Sequence, residues 1–293
     1  MRILLLGKHG QLGWELHRTL QPLGEVIALD YPEIDLTSPD SIRDTVQKSH
    51  PEVIINAAAY TDVDRAESEP EIAMAVNGIA PGLLAEQATS YGAGLIHYST
   101  DYVFDGMKST SYTELDKPNP INVYGRSKLA GEQSITKVGD VYLIFRTSWV
   151  YSLRRACFVT KVLERSRSQE TMRMVSDQTG SPTWARMLAE ITAQLIAKGS
   201  QDIIPWIKNH QGIYHLAGNG AVNRLDLAKA ILEYDQNSEE QIIKEILPAL
   251  TNDFSTPAKR PLFTALNSGK FLNAFGIGMP NWRLNLQMAM SFE

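Results

Sequence analysis

The sequence is nearly without cysteine, which excludes two classes of structure. Cys157 is the only cysteine among 293 residues, so neither an internal disulfide nor a thiolate metal cluster can form. The six histidines form neither a His-x-x-x-His nor a His-Glu-x-x-His pattern. We therefore predict no metal site.

Long apolar runs and an excess of positive charge are also missing. No apolar run reaches the roughly 18 residues of a membrane-spanning helix. The apolar stretch at residues 2–6 is too short for a signal peptide, so we expect a cytoplasmic protein. The net charge of −5 gives no electrostatic reason to bind nucleic acid or an anionic membrane. We predict neither partner.

What remains is an ordinary globular composition, with 43% hydrophobic and 21% charged residues. Strand-like runs at residues 53–59, 95–99 and 142–146 alternate with helical segments such as residues 72–91. Such alternation predicts an α/β fold with a doubly wound parallel sheet of the Rossmann type.

The same pattern predicts how the chain is divided. Residues 1–150 read as a dinucleotide-binding domain, whose sheet is completed by segments near 172–176 and 212–217. Residues 151–293 are expected to form mainly a smaller, interleaved C-terminal lobe that binds the substrate.

A glycine-rich turn follows the first strand. Gly7, Gly10 and Gly13 lie between the apolar residues 2–6 and a helical segment that begins near Trp14. A strand, a glycine turn and a helix in this order form a binding site for the pyrophosphate of a dinucleotide. The spacing is Gly-x-x-Gly-x-x-Gly rather than Gly-x-Gly-x-x-Gly, so an ordinary strand-to-helix loop remains an alternative.

Asp30 ends the next strand, about 20 residues further on, where such units place the acid that binds the adenine ribose. A carboxylate there favours NADH because it repels a 2′-phosphate. Lys8, His9 and, if it folds back, Arg43 would offset that preference. The predicted cofactor is therefore NADPH or NADH, and a solvated strand end is the alternative for Asp30.

Tyr124 and Lys128 are four residues apart in a helical segment, so their side chains lie on one face, one turn apart. A nearby ammonium is expected to lower the pKa of the phenol. Thr100 directly follows a strand and adds a hydroxyl group that can hold a carbonyl. Any helix offers a Tyr-x-x-x-Lys pair by chance, but with Thr100 the set suits proton transfer to a ketone.

Together these segments resemble the extended short-chain dehydrogenase/reductases and, within them, the dTDP-4-dehydrorhamnose reductases. The matching segments span nearly the whole chain in the order of that family. They are residues 7–13, 56–67, 99–106, 122–132, 146–151, 177–183 and 257–261.

The resemblance implies a role for each site residue. Tyr124 would donate the proton to a C4 ketone oxygen, Lys128 would bind the nicotinamide ribose, and Thr100 would polarise the carbonyl. The implied cofactor-binding residues are Gly7, Gly10, Gln11, Leu12, Gly13, Asp30, Asp35, Leu36, Ala59, Tyr60, Thr61, Asn77, Tyr124 and Lys128. The implied substrate-binding residues are Thr100, Asp101, Tyr102, Trp149 and, at the nucleotide diphosphate, Arg260.

The implied activity is NAD(P)H-dependent reduction of dTDP-4-dehydro-L-rhamnose to dTDP-L-rhamnose, the last step of dTDP-rhamnose synthesis for cell-surface polysaccharide. The partner would be a dTDP-linked sugar, and a homodimer is compatible with the family. The sequence departs from the family at residues 152–158, where Arg154 and Arg155 replace a small, Gly/Asn-rich stretch. We expect this loop to border the substrate.

Two other functions fit the same fold. A sugar-nucleotide epimerase or dehydratase is one, although dehydratases follow the threonine with Asp-Glu and this chain has Asp101-Tyr102. A non-catalytic, dinucleotide-binding regulatory subunit is the other. The complete set of Thr100, Tyr124 and Lys128 argues against it.

Overall fold

The structure, a computed structural model, describes residues 1–292. The strands in chain order are β1 (Arg2–Leu6), β2 (Glu25–Leu29), β3 (Val53–Asn56), β4 (Gly94–Thr100), β5 (Tyr142–Thr147), β6 (Val150–Tyr151), β7 (Thr171–Val175), β8 (Thr179–Gly180), β9 (Thr183–Trp184), β10 (Gly212–His215), β11 (Val222–Asn223) and β12 (Glu245–Ala249). Six of them form a central parallel sheet in the order β10-β5-β4-β3-β1-β2.

Helices connect these strands. They are α1 (Gln11–Leu20), α2 (Pro39–Ser49), α3 (Val63–Ser68), α4 (Pro70–Met74), α5 (Ala80–Tyr91), α6 (Val123–Val138), α7 (Phe158–Ser166), α8 (Ala185–Lys198), α9 (Ile203–Asn209), α10 (Arg224–Glu233), α11 (Gly269–Phe275) and α12 (Trp282–Phe292). Within residues 1–292 none of them is both long and apolar enough to cross a bilayer. The helix predicted at 72–91 is interrupted by a π-helical turn, Ala75–Ile79.

Both faces of the sheet are covered, which explains why its strands are continuous apolar runs. Successive side chains of β1 point to opposite faces. Ile3 and Leu5 pack in one core with Leu16 of α1, while Leu4 and Leu6 belong to a second core. The predicted doubly wound α/β sheet is confirmed.

The strand order fixes where a ligand can bind. From β1 the chain moves outward to β2, then crosses to β3 on the other side of β1. The helices that follow β1 and β3 therefore diverge, and a crevice opens at the carboxyl ends of these two strands. The glycine turn and the segment after β3 both lie there.

The later part of the chain builds a third core, in which Trp184, Leu227 and Leu286 are buried. Of the two segments predicted to complete the main sheet, residues 212–217 do so through β10. The prediction for residues 172–176 is wrong, because β7 pairs with β12 in a separate two-stranded sheet. Its residues alternate between exposed and buried, as in a strand with only one covered face. The boundary at residue 150 stays a prediction.

A buried ion pair joins helix α6 to the sheet. Arg146 of β5 donates to both carboxylate oxygens of Glu132 on α6, at 2.9 and 2.6 Å. Ser99 of β4 donates to the same carboxylate at 2.5 Å. The two charged side chains are only 4% and 2% exposed. This contact fixes α6 against β4 and β5.

We expect Glu132→Gln to lower the free energy of unfolding by about 3–5 kcal/mol, because it leaves the Arg146 charge buried without its counter-ion. Urea unfolding followed by tryptophan fluorescence measures this change. The control is Asp140→Asn, which breaks the exposed ion pair with Lys208 and should cost about 0–1 kcal/mol. Equal losses in the two variants would contradict the assigned role.

Candidate active site

A cavity of about 880 Å³ opens at the carboxyl ends of β1, β3, β4 and β5, within the size range of ligand pockets. It gathers most of the side chains that the sequence singled out. Those that line it are Gly7, Gly10, Gln11, Leu12, Asp30, Asp35, Leu36, Ala59, Tyr60, Thr61, Thr100, Asp101, Tyr124, Lys128 and Trp149. Gly13, Asn77, Tyr102 and Arg260 do not contribute to its wall.

The glycine turn has the geometry that a pyrophosphate requires. Gly7 has φ +88°, and a Cβ there would lie 2.7 Å from the backbone nitrogen of Ala58. A Cβ on Gly13 would lie 1.8 Å from the Gly7 carbonyl oxygen, so the close approach of α1 to the turn requires glycine at this position. Helix α1 begins at Gln11 without a side-chain cap, which leaves amide donors facing the cavity. The turn therefore fits a dinucleotide.

Asp30 lies at the end of the cavity where the adenine ribose is expected. Its carboxylate accepts from the backbone N–H groups of His9, at 3.0 Å, and Tyr31, at 2.9 Å. Lys8 is paired with Glu33 at 2.5 Å. Arg43 does not fold back, because it pairs with Asp40 on α2. Of the three basic residues expected to offset the charge of Asp30, Arg43 therefore lies elsewhere, and the charge of Lys8 is partly neutralised by Glu33.

Asn77 is hydrogen-bonded to the backbone of the segment that follows β3. Its amide accepts from the Tyr60 N–H and donates to the Tyr60 carbonyl, both at 2.9 Å, and donates to Ser127 Oγ at 3.1 Å. It belongs to the π-helical turn, a feature that is frequent at functional sites. The Tyr60 hydroxyl donates to Glu69 at 2.6 Å. Asn77 thus orients the segment after β3 and does not itself face the cavity.

Tyr124 lies in the first turn of α6, where the Asn122 side chain caps the helix by accepting from the Gly125 N–H. Burial raises the pKa of Tyr124 above its usual range, and the hydrogen bond with Thr100 lowers it in part. The predicted lowering by Lys128 is wrong for this arrangement. Lys128 Nζ instead donates to the Tyr98 carbonyl at 2.6 Å and lies 3.3 Å from His97 Nε2.

Lys128 also shows the effect of burial, since desolvation lowers its pKa to about 8 while Glu132 opposes the shift. The environment thus moves both members of the predicted pair toward their neutral forms. A phenol with a raised pKa stays protonated at neutral pH and can act as a proton donor.

Asp101 joins the strand end to two loops. Its carboxylate accepts from the hydroxyl groups of Thr100 at 3.1 Å, Ser148 at 2.8 Å and Thr264 at 2.5 Å. Burial raises its pKa, and these bonds lower it in part. The next residue, Tyr102, places its ring 5.8 Å from that of Tyr124 in an edge-on contact. Asp101 therefore both lines the cavity and ties the lobe to the sheet.

Trp149 lies on the cavity wall with φ 45°. The guanidinium of Arg224 stacks over its ring at 3.5 Å. No sequence pattern indicated Arg224, because it comes from the start of α10, far along the chain. Thr147 also lines the cavity and was missed. It is a hydroxyl residue at the end of a strand, the signal that identified Thr100.

Two further expectations concern Arg260 and the divergent loop. Arg260 binds Asp64 in a two-pronged ion pair at 3.0 and 2.6 Å and lies outside the cavity wall, so its diphosphate role stays a prediction. In the divergent loop, Arg154 stacks on Trp14 at 3.2 Å and Arg155 donates to the His9 carbonyl. The loop therefore borders the glycine turn, and Arg155 also lines the cavity. The expectation that the loop borders the substrate stays a prediction.

Comparisons with known proteins agree with this site. The family model described as the RmlD substrate binding domain matches residues 1–292. The chain is 40% identical to the dTDP-4-dehydrorhamnose reductase of Burkholderia thailandensis over 286 residues, which are 97% of this chain and 96% of the relative. It is 39% identical to that of Escherichia coli K12 over 298 residues, covering 99% and 97% of the two chains.

A solved structure of such a reductase is also similar to this chain. The dTDP-4-dehydrorhamnose reductase from Bacillus anthracis, solved in complex with NADP, is 33% identical. It superposes with a TM-score of 0.89 over 100% of this chain and 99% of the other. The resemblance predicted from the sequence is confirmed. The chain belongs to the RmlD substrate-binding-domain family, to which its dTDP-4-dehydrorhamnose reductase relatives connect it over nearly its full length.

Proposed function

We propose that the protein reduces the C4 ketone of dTDP-4-dehydro-L-rhamnose to dTDP-L-rhamnose with NADPH or NADH. The observation that carries the proposal is the convergence of Thr100, Tyr124 and Lys128 on one wall of a cavity that begins at a dinucleotide-type glycine turn. The relatives' name, dTDP-4-dehydrorhamnose reductase, supports the substrate. The cytoplasmic location and the homodimer remain predictions.

The chain's own residues suit the chemistry of a reductase. The bound cofactor would supply the hydride, while Gly10, Gln11 and Leu12 would hold its pyrophosphate at the start of α1. Tyr124 Oη, kept protonated by burial, would give its proton to the ketone oxygen. The Thr100 hydroxyl lies beside it and would orient the carbonyl.

The alternatives are less well supported. Elimination by a dehydratase needs a second carboxylate beside Asp101, and the chain has Tyr102 there. A non-catalytic regulatory subunit would not need Thr100, Tyr124 and Lys128 in one cavity. Incubating the protein with NADPH and dTDP-4-dehydro-L-rhamnose distinguishes these functions, since only the reductase consumes NADPH stoichiometrically with the sugar. Binding of NADPH with no turnover would favour the regulatory subunit.

We expect Tyr124→Phe to lower kcat by about 10²–10⁴-fold, because it removes a proton donor that acts mainly in the transition state. NADPH affinity should stay within a few-fold, as measured by fluorescence titration. The matched control is Tyr214→Phe, whose hydroxyl donates to the His210 carbonyl outside the cavity, and which should keep near-normal turnover. Near-full activity in Tyr124→Phe would refute the assignment.

The charge of Asp30 should set cofactor preference. Asp30→Asn removes the charge but keeps an oxygen that can accept from the His9 N–H. We expect the ratio of kcat/KM for NADPH to that for NADH to rise about five- to tenfold, equivalent to about 1–1.4 kcal/mol. Asp40→Asn, on the exposed surface of α2, is the control. An unchanged ratio in Asp30→Asn would mean that this carboxylate does not meet the ribose.

A further inference from the structure

The loop between β6 and α7 is fastened both to the glycine turn and to the helix that follows the turn. Arg155 donates to the backbone carbonyl of His9 in the turn. The guanidinium of Arg154 lies 3.2 Å from the ring centroid of Trp14 on α1. These two contacts hold the loop, residues 152–157, beside the start of α1.

The Arg155 side chain has unused hydrogen-bond donors and an unpaired charge. A guanidinium carries five N–H donors, and Arg155 uses its Nη1 group for the bond to His9. No residue in the described part of the chain, 1–292, forms an ion pair with it, and the side chain is exposed at the mouth of the cavity. Its remaining N–H groups can therefore bind an anion, and their planar arrangement matches two oxygens of one phosphate.

Arg155 is also the cation that the cavity offers at the glycine turn. The charged side chains that line the cavity are Asp30, Asp35, Asp101, Lys128 and Arg155. Lys128 is buried on α6 and donates to a backbone carbonyl of β4. Both phosphates of a dinucleotide are negatively charged. Without Arg155 the turn would meet them with backbone amides alone and with carboxylates nearby.

The strand order decides which phosphate this cation suits. β2, which ends just before Asp30, lies on one side of β1, and β3, β4 and β5 lie on the other. The loop of Arg155 follows β5 and β6, and Gln11 at the start of α1 donates to the Val150 carbonyl of β6 at 3.5 Å. Arg155 therefore reaches the turn from the side of β5, and Asp30 from the side of β2. The adenosine, which carries any 2′-phosphate, is expected at Asp30, so the pyrophosphate is the group closer to the β5 side.

We propose that Arg155 is a cofactor-binding residue that pairs with the pyrophosphate of NADH or NADPH. The amides at the start of α1 bind the same group, and the guanidinium adds the positive charge that the cavity wall otherwise lacks there. The inference rests on the dinucleotide part of the proposed function and not on the identity of the sugar. Because NADH and NADPH share the pyrophosphate, Arg155 contributes equally to the binding of both.

Arg155→Gln tests the contact, because glutamine lacks the charge but keeps an N–H donor for the His9 carbonyl. The dissociation constants for NADH and NADPH are measured by fluorescence titration with no sugar present. We expect both constants to rise about tenfold, the loss of one hydrogen-bonded charge. A rise for NADPH alone would place the guanidinium at the 2′-phosphate, and unchanged constants would leave it as a surface contact of the loop. Either result overturns the proposal.

Salt dependence separates a direct contact from a loosened loop. An exposed ion pair is screened by salt, so the affinity of the wild type for NADH should fall more steeply than that of Arg155→Gln between about 0.05 and 0.5 M NaCl. Equal slopes would mean that the substitution acts through the conformation of the loop, and the direct contact would be refuted.

The matched control is Arg154→Gln, which removes the same charge one residue away. That side chain stacks on Trp14 and does not line the cavity. We expect its dissociation constant for NADH to stay within about twofold of the wild-type value, since a distant exposed charge is largely screened. A tenfold loss here as well would reduce the effect to the net charge of the loop and contradict the assignment. Because no readout needs the sugar, a failed reductase assay and a failure of this proposal are distinguishable.

Discussion

The buried contact between Glu132 and Arg146 is the constraint on which the active site depends. Helix α6 carries Tyr124 and Lys128, and strand β4 ends at Thr100, so the site exists only if helix and strand keep one register. The Arg146 charge cannot leave Glu132 without remaining unpaired in the interior. A sliding movement of α6 by one turn would break the ion pair and the Ser99 bond together. The ion pair therefore specifies the geometry of the site as well as stabilising the fold.

Burial then determines the chemistry of the groups that this contact positions. A low-dielectric environment disfavours charged forms, so the pKa of Tyr124 rises and that of Lys128 falls. The two shifts therefore have one cause, and Tyr124 remains a protonated phenol at neutral pH. Their spacing in the sequence indicated a coupled pair. It did not indicate which partner each would bind, because the His97 and Tyr98 contacts come from a strand about 30 residues earlier.

Features carried by local patterns could be predicted from the sequence, and features that need distant contacts could not. The glycine turn, Asp30 and the Tyr124–Lys128 spacing each lie within one strand–turn–helix unit or one helix. By contrast, Arg224 reaches Trp149 from a helix 75 residues later. The sequence of Thr171–Val175 is typical of a strand and predicted a place in the main sheet. In the structure this strand pairs with β12 instead, and only one of its faces is buried. Arg154 contacts Trp14 across most of the domain, so no local pattern shows which end of the cavity its loop borders.

The surroundings of Asp101 argue for reduction rather than elimination on this scaffold. Three hydroxyl groups already donate to its carboxylate, which offers about four lone-pair positions. A carboxylate held in this way is poorly placed to move a proton, since each transfer would have to break bonds that also join the lobe to the sheet. The neighbouring position carries Tyr102, packed against Tyr124, instead of a second acid. Tyr124 thus keeps its proton and faces the cavity beside Thr100, and a proton donor at that place beside a cofactor site is what ketone reduction requires.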